Sequence, residues 1–418
     1  MFCSFIIIPL MFLILMNLPI GKFPRRSAFW IAAAIFLAQT IFVVFPPTIS
    51  GCTFFSFNLL VDDLSRVVLF CAGFVGLASL LVGDTMLKDP EEKYNFINLL
   101  MGALAGLNGV IMVQDMFTLY LFLEITAVAS FILISFKRDP DGLEAAFKYL
   151  ILSVVASVLM LSSIAMLLMI AGDTSFAAIN AVILTAPHNA FFMLAMGLFM
   201  CGLFIKGGII PFHGWLPDAY SAAPAPVSVL LAGIVTKTVG VYALIRVVTL
   251  VFVFDSPIKY LILFVGAVSI VVGALAAMGQ KDFKRMLAYS SISQVGYIVI
   301  GLGSGTPLGI FGAIFHLLNH SIFKSLLFVN AAAVEEQTGS RDMDSMSGLA
   351  AKMPVTGVTS VIACLSAAGI PPLSGFWSKL IIIIALWMSG YYVYAVIAIL
   401  ASVLTLSYML SLQRRVFF

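Results

Sequence analysis

The sequence predicts an all-α protein that crosses a membrane about thirteen times. Three observations carry this reading. Of the 418 residues, 62% are hydrophobic and only 10% are charged, with a mean hydropathy of +1.13; soluble domains run about 45–50% apolar and about 25% charged. Apolar runs near twenty residues, the length a helix needs to cross hydrocarbon, recur along the whole chain. Basic residues are gathered into alternate breaks between those runs.

The spans follow in order. The opening FCSFIIIPLMFLILM has neither a basic leader nor a small-residue cleavage site, so residues 4–20 read as a first membrane helix and not as a signal peptide. Spans two and three fall near 28–45 and 64–83, completing an N-terminal three-helix segment, residues 1–95. A first group of five spans near 97–113, 116–136, 145–171, 189–210 and 225–250 fills residues 96–250. A second group near 258–279, 287–303, 307–334, 355–388 and 391–413 fills residues 251–418. The five cysteines, Cys3, Cys52, Cys71, Cys201 and Cys364, have no CxxC spacing and read as small core residues, not as cluster ligands or a disulfide framework.

The breaks orient the chain. Alternate loops hold Lys22, Arg25 and Arg26; Lys88 and Lys93; Lys137 and Arg138; Lys281, Lys284 and Arg285; Arg341 and Lys352; and Arg414 and Arg415, whereas the opposite loops hold essentially only Lys259. By the positive-inside rule these basic loops face the cytoplasm, which puts the N-terminus outside a multi-pass protein of the plasma (inner) membrane.

Segments repeat at nearly constant spacing. EAAFKYLIL around Lys148 resembles HSIFKSLLF around Lys324, FIKGGIIPFHGW at Lys206 resembles GIPPLSGFWSK at Lys379, and the stretch ending at Arg246 resembles the one ending at Arg415. Each pair lies five spans apart, and an odd number of spans inverts the copy. Two inverted five-helix repeats, spans 4–8 and 9–13, follow as an expectation, an arrangement found in many ion-coupled transporters. Gly207, Gly208 and Pro211 after Lys206, and Gly369, Pro371, Pro372 and Gly375 before Lys379, predict that helices 7 and 12 are broken. In lipid such breaks are tolerated only inside protein or beside water.

The ionisable residues inside the apolar runs are the candidate site. Glu124 lies in LYLFLEITAVASF, Lys206 in MCGLFIKGGIIPF, Lys237 in LLAGIVTKTVGVY, His316, His320 and Lys324 in FHLLNHSIFKSLLF, and Lys379 in GFWSKLIIII. A charge at the bilayer centre costs roughly 2.5–3.5 kcal/mol even on a lenient scale, so a chain that keeps this many is expected to use them. Glu124 is the expected ion partner of a lysine on span 7 or 8. A carboxylate moving toward or away from a desolvated amine loads or releases its proton. His316, His320 and Lys324 step by four along one helical stripe and read as a proton relay; a metal reading of HxxxH has no third ligand nearby. Lys379 ends the polar line. Lys148 reads either as a further relay or as a lysine whose stem snorkels to the surface. Arg66, Asp62 and Asp63 read as interfacial anchors, and His213 and Asp218 as groups of a structured cytoplasmic loop.

Motifs that are missing narrow the chemistry. No Walker loop, no GxGxxG followed by a suitable acid, no HExxH and no cysteine cluster occurs. No nucleotide, flavin, iron–sulfur centre or metal is expected in this chain, and any pumping must draw its free energy from another subunit or an ion gradient.

At these residues the sequence resembles the antiporter-like subunits of respiratory complex I, of Mrp-type cation/proton antiporters and of energy-converting membrane-bound hydrogenases. The segments that carry the resemblance are LYLFLEITAVASF, EAAFKYLIL, KGGIIPFHGWLPDAYSAAPAPVSVLLAGIVTKTVGVYALIR, DFKRMLAYSSISQVGYI, FHLLNHSIFKSLLFVNAAAVE and GIPPLSGFWSK, spread over residues 95–418. It implies that Glu124 pairs with Lys206, that Lys237 is the central lysine of span 8, that His316, His320 and Lys324 form the span-11 relay, and that Lys379 is the terminal lysine of span 12. It further implies a proton-translocating, or sodium/proton-exchanging, subunit of a redox-driven complex, the alternative being an Mrp-type antiporter without a redox partner. The implied partners are other membrane and peripheral subunits, protons or sodium, and the lipid bilayer, with no nucleic acid. Wording such as LEAAFKYL and TGSRDMDSMSGLAAKMPVTG stands closer to hydrogenase-type and Mrp-type members. Members usually continue past a stretch like RRVFF into a further helix, whereas this sequence reaches Phe418.

Overall fold

Aspartates and prolines set where the helices begin. Asp62, Asp89, Asp115, Asp139 and Asp282 each accept a hydrogen bond from a backbone amide two or three residues on, at 2.7–3.0 Å, and so satisfy a donor that a helix start leaves unpaired. Pro90, Pro140, Pro307 and Pro354 occupy the first helical turn, where a missing N–H costs nothing. The few charged residues the chain can carry are thus spent largely at helix ends.

The computed structural model describes residues 3–18, 24–45, 52–54, 57–185, 189–252 and 256–418. It is an all-α polytopic membrane protein. In chain order the helices of eight residues or more are α1 Ser4–Asn17, α2 Arg25–Val44, α3 Asp63–Met86, α4 Pro90–Met112, α5 Met116–Ile134, α6 Pro140–Ala171, α7 Phe176–Thr185, α8 Ala190–Gly207, α9 Trp215–Ala222, α10 Ala225–Leu250, α11 Ser256–Met278, α12 Phe283–Gly303, α13 Pro307–Thr338, α14 Pro354–Ala368, α15 Ser374–Met388 and α16 Tyr392–Val416. Among the described residues, 11 helices are long and apolar enough to cross a membrane. The two remaining expected spans are the shorter α1 and the pair α14 and α15, separated by residues 369–373. Lys22 lies outside the described residues.

Three local features were not expected. The connection between α2 and α3 holds a short antiparallel ribbon, β1 Cys52–Phe54 and β2 Phe57–Leu59. Phe176–Thr185 forms an extra apolar helix between the sixth and seventh spans. Cys3 is disulfide-bonded, which corrects the reading of all five cysteines as plain core residues; Cys71, Cys201 and Cys364 do carry free thiols.

The chain divides into two compact units. The first comprises residues 1–207 and 234–253, the second residues 208–233 and 254–418. In the first, the apolar stretch of α4 is 78% buried, whereas that of α6 is 28% buried. Phe147, Ile151, Val154 and Val158 of α6 are exposed; a stripe that would be a liability in water is at home against lipid. At Gly240 of α10 a Cβ would come 2.1 Å from the Cα of Gly207 at the end of α8, so two backbones touch there, as small residues permit between membrane helices. Lys237 opens the second of two π-helical turns, Leu231–Val235 and Lys237–Tyr242. Such turns loosen the regular ladder and recur at functional sites.

In the second unit the core joins Leu263 and Ile270 of α11, Tyr297 and Ile300 of α12, Ile382 and Leu386 of α15, and Ala395, Ala398 and Ala401 of α16. The short α9 is pinned to α12 by the Arg285–Asp218 ion pair at 2.7 Å, and Arg341 donates to the Ser221 carbonyl at 2.6 Å.

Gly240→Ala is expected to cost about 1–3 kcal/mol of stability, the usual range for overpacking, because the added methyl meets backbone. Gly197→Ala on α8, where no atom lies within 4 Å of the new Cβ, is expected to be neutral. Thermal unfolding of the two variants in detergent decides the point; equal behaviour contradicts the close contact.

Candidate functional site

In the first unit the expected pair forms. Lys206, at the C-terminal turn of α8 and 1% exposed, sends its ammonium to Glu124 Oε1 on α5 at 2.9 Å. It also donates to Ser153 Oγ on α6 at 3.0 Å. Ser157, one turn further along α6, donates to the same Glu124 oxygen at 2.6 Å. The Glu124 side chain keeps 30% of its surface exposed. One carboxylate oxygen therefore accepts from both an ammonium and a hydroxyl, and charge-assisted bonds of this kind are roughly twice as strong as neutral ones. The last turn of a helix also favours a cation through its unpaired carbonyls. Neither serine was expected: single serines in an apolar helix leave no periodic mark, although Tyr149, Ser153 and Ser157 do recur every four residues.

Lys237 is fully buried on α10, close enough to Cys71 of α3 to interact electrostatically. Its neighbour Thr238 keeps its buried hydroxyl out of any hydrogen bond. Lys148 stands apart from this group: it pairs with Glu144 at 2.7 Å, one turn earlier on α6, and 45% of its side chain is exposed. A second cluster of the first unit went unnoticed in the sequence. Arg246 is buried and donates to both oxygens of Asp62, through Nη1 at 2.5 Å and also through Nη2. Its Nε bonds the Tyr242 hydroxyl at 2.7 Å, which in turn donates to the Ile111 carbonyl. Asp62, read from the sequence as an interfacial anchor, is in addition the partner of a buried guanidinium. Burial raises its carboxyl, but the Arg246 bonds and the Ser65 amide outweigh this and hold it down at about 2.

In the second unit the remaining candidates converge. His316, His320 and Lys324 of α13 are all 0% exposed. The two imidazoles stack at 6.3 Å between centroids with an interplanar angle of 13°, and His316 Nδ1 lies 2.9 Å from Ser378 Oγ of α15. Lys324 donates to the Leu287 carbonyl at 2.9 Å and to Ser290 Oγ, both on α12. Lys379, next to Ser378, donates to the Ala367 carbonyl at 2.7 Å and lies 4.4 Å from the centroid of the Tyr297 ring. That carbonyl belongs to the last turn of α14, freed by the break at residues 369–373. Gly369, with φ of +83°, takes the left-handed conformation that ends α14. The first break follows the same rule at Gly208, with φ of +61°.

The sequence profile described as NADH:quinone oxidoreductase/Mrp antiporter, transmembrane, matches residues 113–405. The chain belongs to this family. It is 36% identical over 356 residues to NADH-quinone oxidoreductase subunit N of Desulforudis audaxviator, an alignment covering 84% of this chain and 71% of that protein. Among solved structures it superposes on a chain of the Mrp complex from a Dietzia species with TM-score 0.92 and 27% identity, over all of this chain and 80% of that one. It superposes on a chain of the membrane-bound sulfane sulfur reductase, an archaeal respiratory membrane complex, with TM-score 0.89 and 28% identity, over all of this chain and 88% of that one.

The depressed Asp62 carboxyl fixes a sign. Its ion pair adds stability above the unfolded carboxyl value of about 3.8 and loses it as pH falls toward 2. Since 41% of the Asp62 side chain is exposed, screening limits the gain to about 1 kcal/mol. Asp62→Asn is therefore expected to lower thermal stability at neutral pH, and its deficit relative to wild type to close between about pH 4 and pH 2. A deficit independent of pH argues against the ionic contribution.

Proposed function

We propose that this chain carries protons across the cytoplasmic membrane as an antiporter-like subunit of a larger, redox-driven complex, with its N-terminus outside. The observation that carries the reading is the Glu124–Lys206 pair inside the span, with Ser153 and Ser157 as alternative partners. A lysine with both a carboxylate and a hydroxyl within 3.0 Å can change partners without a large movement. When a neighbouring subunit changes charge and draws Glu124 away, the ammonium loses the interaction that sustains it in a low-dielectric site and gives up its proton. Lys237 is the next acceptor in the first unit. In the second unit His316, His320 and Lys324 pass protons along α13, and Lys379 is the terminal group. Lys148, on the surface with Glu144, has no part in this scheme beyond collecting protons near the α6 start.

Electron transfer, in this reading, belongs to partner subunits, and likeness to a subunit of NADH-quinone oxidoreductase and to a chain of a respiratory sulfane sulfur reductase supports it. A second reading rests on the likeness to the Mrp complex: sodium/proton exchange driven by a gradient, with no redox partner. Co-purification of iron–sulfur or nickel subunits with the assembled complex favours the first reading, and their absence from an active complex the second.

The test is ion uptake into vesicles holding the intact complex, wild type against Lys237→Ala. A positioned proton-transfer group contributes roughly a hundredfold or more, so uptake is expected to fall at least about tenfold while assembly stays intact. Undiminished uptake in an assembled Lys237→Ala complex overturns the reading.

A further inference from the structure

At the basic end of the first unit, α2, α3 and α4 leave an open cavity of about 320 Å³ between them. Arg26, Phe29 and Trp30 of α2 form one wall, and Asp84 of α3 with Lys93 and Tyr94 of α4 forms the other. All but one of these polar groups already have partners. Lys93 donates to the Asp84 carboxylate at 2.9 Å and to the Asp84 carbonyl at 2.5 Å. The Tyr94 hydroxyl donates at 2.5 Å to the Met16 carbonyl in the last turn of α1. Arg26 has neither an ion pair nor a hydrogen bond among the described residues. Since Lys93 and Asp84 cancel, the lining keeps one positive charge that nothing in the unit answers.

The surroundings of Arg26 are graded as a membrane is graded. Trp30 stands one turn beyond Arg26 on the same face of α2, and Leu37 and Ile41 continue that face two and three turns beyond Trp30. All three are exposed, Trp30 by 63%. From the helix rise, Trp30 lies about 6 Å deeper than Arg26, and Ile41 about 16 Å deeper than Trp30. The first distance matches the thickness of a headgroup layer and the second that of one leaflet of a hydrocarbon core about 30 Å across. Tryptophan favours the boundary between the two. A soluble anion could use Arg26 but not the stripe below it. A phospholipid uses both, with its phosphate on Arg26, its glycerol at Trp30 and an acyl chain along Leu37 and Ile41.

We propose that the cavity between α2, α3 and α4 binds the headgroup of one anionic phospholipid of the cytoplasmic leaflet, its phosphodiester held by Arg26. A guanidinium presents a planar fork that meets two phosphate oxygens at once, and basic cavities between helices on the cytoplasmic side suit anionic headgroups. The charge of the lining makes the choice of lipid. A phosphodiester alone neutralises the one unanswered positive charge, whereas a headgroup that also carries an ammonium brings a further cation beside Arg26 and Lys93. Glu91 and Glu92, exposed in the first turn of α4, are not part of the lining. The bound lipid ties α2 to α3 and α4. Proton transport has no part in this site; only the leaflet is taken from the orientation proposed above.

The experiment uses the intact complex in phosphatidylcholine vesicles with a trace of diazirine-labelled phosphatidylglycerol. Label photo-crosslinked to α2 and α4 peptides is measured in about 0.5 M salt, where diffuse attraction is screened within about 4 Å. Wild type is compared with Arg26→Gln, Trp30→Ala and Lys88→Gln; Lys88 is exposed in the neighbouring loop but does not line the cavity. Labelling is expected to fall about tenfold in Arg26→Gln, the effect of losing a charged hydrogen bond, and several-fold in Trp30→Ala, and to hold in Lys88→Gln. Equally labelled phosphatidylcholine is expected to mark wild type about tenfold less than phosphatidylglycerol does. Equal losses in Arg26→Gln and Lys88→Gln, or no loss in either, overturn the site. Displacement of the labelled lipid by glycerol phosphate, which has no acyl chains, overturns the lipid in favour of a soluble anion, and resistance to it supports the lipid. Should Arg26→Gln fail to assemble, the two lipids on the wild-type complex decide, and equal labelling by both overturns the proposal.

Discussion

Hydrocarbon supplies no hydrogen-bond partner, and the rest of this structure depends on how the chain meets that constraint. Each backbone group must be satisfied within the helix, and each polar side chain must find its partner inside the protein. Caps by Asp62, Asp89, Asp115, Asp139 and Asp282 handle the helix starts. Three of the internal lysines are handled in three different ways. Lys206 has a carboxylate and a hydroxyl, Lys324 a backbone carbonyl and a hydroxyl, and Lys379 a backbone carbonyl and an aromatic face. Only the first of these sets contains a full counter-charge. The other two offer dipoles, which hold an ammonium less firmly and leave the neutral amine comparatively well accommodated. A group meant to gain and lose a proton needs both forms to be tolerable, and a permanent ion pair of the Arg246–Asp62 kind would not serve.

That contrast sets the Arg246 cluster apart from the Glu124–Lys206 pair on which the proposed function rests. Arg246 cannot be deprotonated, and its donors are taken up by Asp62, Ser65 and Tyr242. Through them it joins the start of α3, the end of α4 and α10. Asp62 is held ionised, so the cluster has no second protonation state near neutrality. Lys206 and Glu124, by contrast, each also engage a serine: the ammonium donates to Ser153, and Ser157 donates to the carboxylate. A fixed clamp at one end of α10 and an adjustable pair at the end of α8 divide rigidity from change within one unit.

Much of this was legible in the sequence, and what was not has a physical reason. A charged residue in an apolar run stands out because its cost is large, so Glu124, Lys206, Lys237, Lys324 and Lys379 could be picked out one by one, and Gly–Pro clusters marked both helix breaks. The partners of those residues are another matter. Ser153, Ser157 and Ser290 are cheap in a helix and leave no signal, while the Leu287 and Ala367 carbonyls belong to every residue alike. Asp62 looked like no more than an interfacial anchor because it stands with Asp63 and Arg66 at the start of an apolar run and its partner lies 184 residues away. Lys148 looked like Lys324 because EAAFKYLIL matches HSIFKSLLF, but its place in the third turn of α6, beside Glu144, brings it to the surface. The π turns around Lys237 depend on tertiary packing, and no local residue pattern encodes them.

The two helix breaks act on their lysines through the same physics. Lys206 lies in the final turn of α8, and Lys379 reaches the final turn of α14 from the start of α15. The C-terminal end of a helix carries about half a negative charge on carbonyls with no intrahelical donor, so each ammonium is offered a partial counter-charge that no acidic residue has to provide. The offer depends on geometry, because the field of the terminal carbonyls falls away within one turn. A shift of α14 against α15 would weaken the Ala367 contact of Lys379 without breaking any covalent or ionic bond. Under the proposed function, a small displacement at a glycine–proline break becomes a change in proton affinity at the adjacent amine. Continuous helices could not do this, since their carbonyls are already engaged, and so the breaks and the lysines belong together as one device.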